Sequence, residues 1–387
     1  MKKIIAVILG FVLACLALFL FKTHDFLTAI NTTTNIATKP SPRPDKSSYN
    51  ILILGYGGVG HDGAYLTDTM MVIHVNFKTN KAILISMPRD LWVKVPSKSG
   101  GFHAKINSVY EMGLYPKEFP DIEKKYQGEQ GASELIRNVV GDLIGQPIDN
   151  YVGIDFHGFT KMIDTLDGVD VTVEKTFDDY VYPIDGKETN NCGKQDTALE
   201  DAVKQATQEA ELAFPCRYEH IHFDKGPTHL DGTTALKYAR SRHSLQDGND
   251  FGRAKRQQLV LEGVKEKVLS VSFVPKILPL MDEAKNYVRT DIDVPLLQKF
   301  FAEAKQDSKK YHITNLVLNL DNFLKNSIGP SNEFILQPRG GVDDWGSIRK
   351  WISDTLEGIT PTLTPHPTTE LSPTKKINAR TPPTSSP

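Results

Sequence analysis

Cysteine is scarce in this sequence, with three in 387 residues, at positions 15, 192 and 216. Cys192 and Cys216 share a loop-like stretch that offers too few further partners for metal ligation. An excess of positive charge is also missing. Lys and Arg total 45 against 47 Asp and Glu, a net charge of −2, so nothing global favours nucleic acid. The chain has no Walker loop, no HExxH pair of histidines and no Ser-His-Asp or Cys-His arrangement. Gly55 to Gly60 is rich in glycine and follows an apolar run, but neither a helix signal nor a P-loop Lys-Ser/Thr comes after it. It reads as a flexible active-site loop.

One segment lacks charge altogether. Ile4 to Phe21 is an eighteen-residue apolar run, bounded by Lys2, Lys3 and Lys22. That length spans a bilayer with little tilt. It exceeds a signal-peptide core and ends without a small-x-small cleavage site, which predicts an uncleaved anchor over 4–21 rather than a removed signal. Cys15 faintly resembles a lipoprotein processing site, but the apolar run continues six residues beyond it. The N-terminal lysines predict a cytoplasmic stub over 1–3, with everything after Lys22 outside. Disulfides persist there, so Cys192 and Cys216 are expected to pair.

A Thr-, Pro- and Ser-rich linker (22–48) follows the anchor, and a tail (359–387) closes the chain. From Pro361 onward the tail has seven prolines and seven threonines, a composition that buries no core. Between them lies one large domain, 49–358. Ile51–Leu54, Met70–Phe77 and Ala82–Met87 read as strands, the last two joined by a turn at Lys78–Lys81. Apolar residues at 135, 136, 139, 140, 143 and 144 mark one face of a helix; the stripe suits core packing or the lining of a lipid tunnel. Strands at 151–154 and 169–173 flank a helix at 156–166. Further helices are predicted near 232–239, 251–270, 294–305 and 345–356, with short strands at 313–320 and 333–336. Thr176–Lys225 breaks the rhythm and reads as a disulfide-containing insertion. The alternation predicts an α/β fold, a central sheet covered by helices. No internal repeat is present.

Polar residues concentrate at three places. Thr67-Asp68-Thr69 precedes a strand, and one carboxylate among hydroxyls suits Mg²⁺ completed by phosphate and water, or simply a strand-leading Asx turn. Pro88-Arg89-Asp90 ends a strand, with Lys105 and Asn107 beyond it. Arg89 suits bidentate phosphate contact, and Asp90 either orients it or acts as a base; a structural Arg-Asp pair is the alternative. Arg240 and Arg242 precede a helix that opens with Arg253, Arg256 and Gln257 at i, i+3 and i+4. Cations in a first turn oppose the helix dipole by about 0.3–1 kcal/mol each, a cost that an anionic ligand reverses and a merely solvated face does not. Five arginines and one aspartate thus outline a site for two adjacent phosphates.

Seven stretches in order resemble the LytR-CpsA-Psr family: Asn50–Gly55, Leu66–Met70, Leu84–Leu91, Lys105–Asn107, Tyr151–Phe156 with Gly158 and Phe159, Leu230–Arg242, and Asp250–Gln257. The resemblance implies an αβα sandwich with a central mixed sheet, preceded by one transmembrane helix. It implies a phosphotransferase that attaches a glycopolymer from a polyprenyl-pyrophosphate carrier to peptidoglycan, with its lipid in an apolar tunnel. Catalytic and head-group positions fall on Arg89, Arg240, Arg242, Arg253 and Gln257, with Asp90, Lys105, Asn107 and Arg256 as further candidates. Mg²⁺ or Mn²⁺ is expected near Asp68. Many members carry an acidic residue where this chain has Tyr56, so Asp62 is the substitute or Asp68 holds the metal alone. A polyprenyl-pyrophosphate phosphatase and a non-catalytic envelope module are the competing readings. The family's older label, transcriptional attenuator, conflicts with a domain placed outside, away from DNA.

Overall fold

In a computed structural model of the chain, the described residues are 46–359, with breaks at 62, 188, 207–209, 245, 247, 249, 271–275 and 308–311, together with Lys22, Asp25 and Ala29. The proposed anchor (4–21), the linker before residue 46 apart from those three residues, and the tail beyond 359 lie outside them. No helix among the described residues is long and apolar enough to cross a membrane. Lys22, next after the apolar run, pairs with Asp282 at 2.9 Å.

The strands form where aliphatic residues run together, and their two-residue period sorts side chains between two cores. From β1 (Ser48–Tyr56), Leu52, Leu54 and Tyr56 join Met70 and Val72 of β2 (Thr67–Asn76) and Ile83 and Ile85 of β3 (Lys81–Met87) in the larger core. Tyr49 and Ile51 point the other way. The β2–β3 turn is set by Asn76, whose Oδ1 accepts from the backbone N–H of Lys78 and Thr79, and by Asn80 in the left-handed region.

A small antiparallel pair, β4 (Trp92–Val95) and β5 (Phe102–Lys105), leads to helices α1 (Val109–Leu114) and α2 (Gly128–Ile144). The six apolar residues of the α2 stripe are all buried in the larger core, so the stripe serves packing. Gly145, with φ 71°, ends the helix in the left-handed conformation that a Cβ would penalise. Next come β6 (Asn150–Asp155), α3 (Phe156–Thr165), β7 (Val169–Val173) and β8 (Phe177–Pro183). They are followed by α4 (Asp196–Ala206), α5 (Ala210–Ala213), β9 (Tyr218–Phe223), β10 (Gly226–Leu230), α6 (Gly232–Arg240) and α7 (Asp250–Leu269). The chain closes with α8 (Ile277–Tyr287), β11 (Val288–Thr290), α9 (Val294–Asp307), β12 (His312–Val317), β13 (Leu324–Ile328), β14 (Phe334–Pro338) and α10 (Gly346–Glu357).

Six strands form one mixed sheet in the order β11-β6-β1-β2-β3-β12. β1 runs parallel to β6 and β3 parallel to β12, while β2 opposes both β1 and β3. Ile348, Trp351 and Ile352 of α10 join α2 in the core on one face, and Leu296 of α9 packs with Ile51 on the other. The expected α/β architecture, a mixed sheet flanked by helices, is therefore present. The parallel pairings point the carboxyl ends of β1, β3, β6 and β12 the same way, and β2 begins at that edge.

Residues 176–225 contain more regular structure than their composition suggests. β8 pairs with β9 and, one step further in, β7 pairs with β10, so 177–223 is an excursion nested between two paired strands. Its outer part is closed by the Cys192–Cys216 disulfide. The bond spans 24 positions in sequence; a loop of that order constrains the unfolded chain by about 3 kcal/mol. Cys192→Ser/Cys216→Ser is therefore expected to open this excursion to limited proteolysis before the rest of the domain. Equal protease resistance in the wild type and the double variant would contradict that local role.

Candidate anion-binding site

The three polar clusters meet at the carboxyl edge of the sheet, where ligands bind in open α/β folds. Thr67, Asp68 and Thr69 belong to the first residues of β2 rather than preceding it. Asp68 lies beside Arg89 at the end of β3, and their side chains form a close ion pair. Each is about one-third exposed, 32% for Asp68 and 30% for Arg89. Behind them Asp90 has only 9% of its side chain exposed; it accepts from Lys105 Nζ at 2.8 Å and lies 3.7 Å from Arg89 Nε. That placement favours orienting Arg89 over acting as a base. Asn107 contributes through its backbone: its N–H donates to the Arg89 carbonyl at 3.3 Å, and its carbonyl accepts from Thr67 Oγ1 at 3.2 Å.

α7 brings its first turns against this edge. Arg253 lines a narrow cleft with Asp68, Pro88 and Gln257. Gln257 Nε2 donates to Thr69 Oγ1 at 2.9 Å and to the Ala239 carbonyl at 3.3 Å, tying β2 to the last turn of α6. Arg256 departs from the expected substrate-binding set. It is 3% exposed, donates to the carbonyls of Tyr238 and Ser241, and lies over the Phe177 ring at 4.8 Å. Successive helical residues are about 100° apart. Gln257 therefore faces the sheet edge while Arg256 turns beneath α6, where it braces the Arg240–Arg242 corner.

Arg240, at the end of α6, stacks on Phe156 at 4.1 Å and donates to Asp185 Oδ1 at 3.0 Å and to the Tyr182 hydroxyl at 3.4 Å. Burial pushes the Tyr182 phenol up to about 12, against the pull of Arg240, so it remains a neutral partner. Asp185 also lies 4.0 Å from His61, beyond the glycine-rich loop. Arg242 is set by a residue that sequence reasoning missed. Asp179 on β8 is fully buried, and its Oδ2 accepts from Ser241 Oγ at 2.7 Å and from the backbone N–H of Arg242 and His243, both at 3.2 Å. Its Oδ1 accepts from Val181 N–H at 3.1 Å. Asp179, Tyr182 and Asp185 all come from the stretch read as an insertion. The one available signal was the pair Asp178-Asp179 within a strand-like run.

Tyr56 is not an anionic ligand. Burial pushes its phenol far above its usual value and the nearby Asp155 charge adds to the effect, so it stays protonated. The ring packs among Tyr65 and Tyr110. Gly58 crosses Asp155 with φ 88°, and a Cβ there would come within 2.8 Å of the Asp155 Cβ. Asp62 lies outside the described residues. Asp68 is the carboxylate that lines the narrow cleft with Arg253 and Gln257, and one carboxylate completed by phosphate oxygens and water fits a Mg²⁺-like ion.

Fold and site thus define an α/β domain whose sheet edge gathers Arg89, Arg240 and Arg253 around Asp68. The chain belongs to the LytR_cpsA_psr family, which residues 20–332 match. It is 28% identical over 318 residues to TagV of Bacillus subtilis (strain 168), named a polyisoprenyl-teichoic acid–peptidoglycan teichoic acid transferase, covering 81% of this chain and 66% of TagV. It is also 28% identical over 253 residues to the regulatory protein MsrR of Staphylococcus aureus (strain COL), covering 65% of this chain and 58% of MsrR. The chain thus spans 66% and 58% of these relatives' lengths, less than two thirds of each. The crystal structure of B. subtilis TagV superposes with a TM-score of 0.54 at 25% identity, covering 82% of this chain and all of that one. The structure of TagT bound to LI-WTA shares the fold, with a TM-score of 0.51 at 19% identity over 84% of this chain and 96% of TagT.

Proposed function

We propose that this protein is an extracytoplasmic phosphotransferase, held to the membrane by residues 4–21, that moves a glycopolymer from a polyprenyl-pyrophosphate carrier to peptidoglycan. The observation that carries the reading is the convergence of Arg89, Arg240 and Arg253 around Asp68 at one sheet edge. The relatives named as teichoic acid transferases support the same class of reaction.

In this reading the acceptor hydroxyl attacks the sugar-proximal phosphorus. A new oxygen–phosphorus bond forms, the bond to the lipid-side phosphate breaks, the hydroxyl proton passes to water, and polyprenyl phosphate leaves. Charge builds on the phosphate oxygens, so positioned cations supply most of the catalysis. Arg89, paired with Asp68, is the cation an arriving phosphate would recruit. Its planar fork matches two oxygens, and Asp90 holds it from behind. Arg240 stands on the opposite side, with Arg242 two residues beyond it. Mg²⁺ or Mn²⁺ held by Asp68 would neutralise further charge on the same oxygens.

The test is transfer of a labelled glycan from a synthetic polyprenyl-pyrophosphate donor to peptidoglycan by the full-length protein in detergent, with and without Mg²⁺, beside Arg240→Ala. Transfer that needs both Mg²⁺ and Arg240 is the expected result. Release of lipid phosphate without glycan transfer would replace this reading with a phosphatase. Lipid binding with neither product would replace it with a carrier-binding role.

A further inference from the structure

The β8–β9 pair carries a second cluster of coordinating side chains, on the face opposite Asp179. Asp178 and His222 are direct cross-strand partners, and His220, two residues before His222, projects from the same side. Asp178 Oδ1 lies 2.8 Å from His220 Nε2 and 2.7 Å from His222 Nδ1. All three ligand atoms fall within 4.8 Å of one another. We propose that Asp178, His220 and His222 bind a divalent transition-metal ion, Zn²⁺ by its ligand chemistry, at a site separate from the anion-binding cleft.

Three features argue for coordination rather than two plain imidazole–carboxylate hydrogen bonds. First, both rings aim a nitrogen at the same carboxylate oxygen. With metal–ligand bonds of about 2.1 Å in a tetrahedral site, neighbouring ligand atoms lie about 3.4 Å apart, so small rotations would turn this triangle into one face of a coordination sphere. Second, the other nitrogen of His222, Nε2, lies 3.3 Å from Asp224 Oδ1. A carboxylate behind a coordinating histidine fixes the tautomer that leaves Nδ1 for the metal and strengthens it as a ligand. Third, the Tyr180 ring stacks on His220 with centroids 4.1 Å apart and planes 5° from parallel, which holds that imidazole in register.

Two imidazoles with one carboxylate suit Zn²⁺, and also Cu²⁺ or Ni²⁺, far better than Mg²⁺, which prefers oxygen. The half-exposed histidines leave room for water in the remaining positions. An ion bound there would bolt β8 to β9 one residue from Asp179, the carboxylate that sets Arg242.

The experiment titrates ZnCl₂ into untagged, chelator-treated full-length protein in detergent by calorimetry, with Co²⁺ absorption as a spectroscopic probe of the ligand set. One equivalent of Zn²⁺ is expected. His220→Ala and His222→Ala should each weaken binding at least tenfold, Asp224→Asn about tenfold, and Asp68→Asn not at all. Circular dichroism of each variant confirms that it is folded, and the exposed His220 position tolerates alanine even if His222 does not. Absence of saturable binding, or equal affinity in His220→Ala and the wild type, overturns the proposal. Loss of binding in Asp68→Asn alone would place the ion in the cleft instead.

Discussion

Arg89→Ala is expected to lower glycan transfer about 10²–10³-fold, the usual consequence of removing one positioned donor from a developing negative charge. Its effect on stability should be small. Arg89 is part-exposed, its pair with Asp68 is at the surface, and Asp90 keeps Lys105 at 2.8 Å when Arg89 is gone; such pairs contribute about 1 kcal/mol or less. Arg89→Lys separates charge from shape. A lysine restores the positive charge but not the planar two-pronged contact, so transfer should recover only in part, to about tenfold below the wild type. The measurement is the initial rate of transfer at saturating donor, beside thermal unfolding of the same preparations. A rate in Arg89→Ala within threefold of the wild type would remove this residue from the catalytic set. A large fall in melting temperature would instead make it structural.

The second large effect concerns a residue that touches no substrate. Asp179→Ala strips a fully buried acceptor from Ser241 Oγ and from the backbone N–H of Val181, Arg242 and His243. Each buried donor left unsatisfied costs about 1–3 kcal/mol, and the loop relaxes only in part, so a loss of about 3 kcal/mol or more is expected in denaturant unfolding. Asp179→Asn retains the shape but turns an NH₂ group toward donors, and should recover little. If Asp179 acts by positioning Arg242, a condition in which the variant is still folded should show a lower turnover with little change in donor affinity. A variant as stable and as active as the wild type would refute that role.

Much of the site was legible without tertiary information because its residues sit in short, ordered stretches. Arg89 and Asp90 end an obvious strand, Asp68 lies at the start of another, and arginines in the first turns of α7 contradict the helix dipole unless an anion is near. The cysteines were legible for a different reason, since compartment chemistry rather than geometry pointed to their pairing. Arg256 was misassigned because spacing reports that i, i+3 and i+4 share a broad face. It does not report which neighbour each edge of that face meets.

The local elements follow from side-chain periodicity and turn chemistry, which act over a few residues: the β2–β3 hairpin and the buried stripe of α2. So does the concentration of guanidinium groups near Arg240 and Arg253. The order β11-β6-β1-β2-β3-β12, which carries Asp68, Arg89 and Asp155 to one edge, depends on pairings between distant segments, and periodicity is the same for any order. The roles of Asp179, Tyr182 and Asp185 were likewise decided only in three dimensions. A polar stretch reads as a surface excursion until β8 folds beneath the 241–243 loop, and only burial turns a carboxylate there into an obligatory acceptor that fixes Arg242.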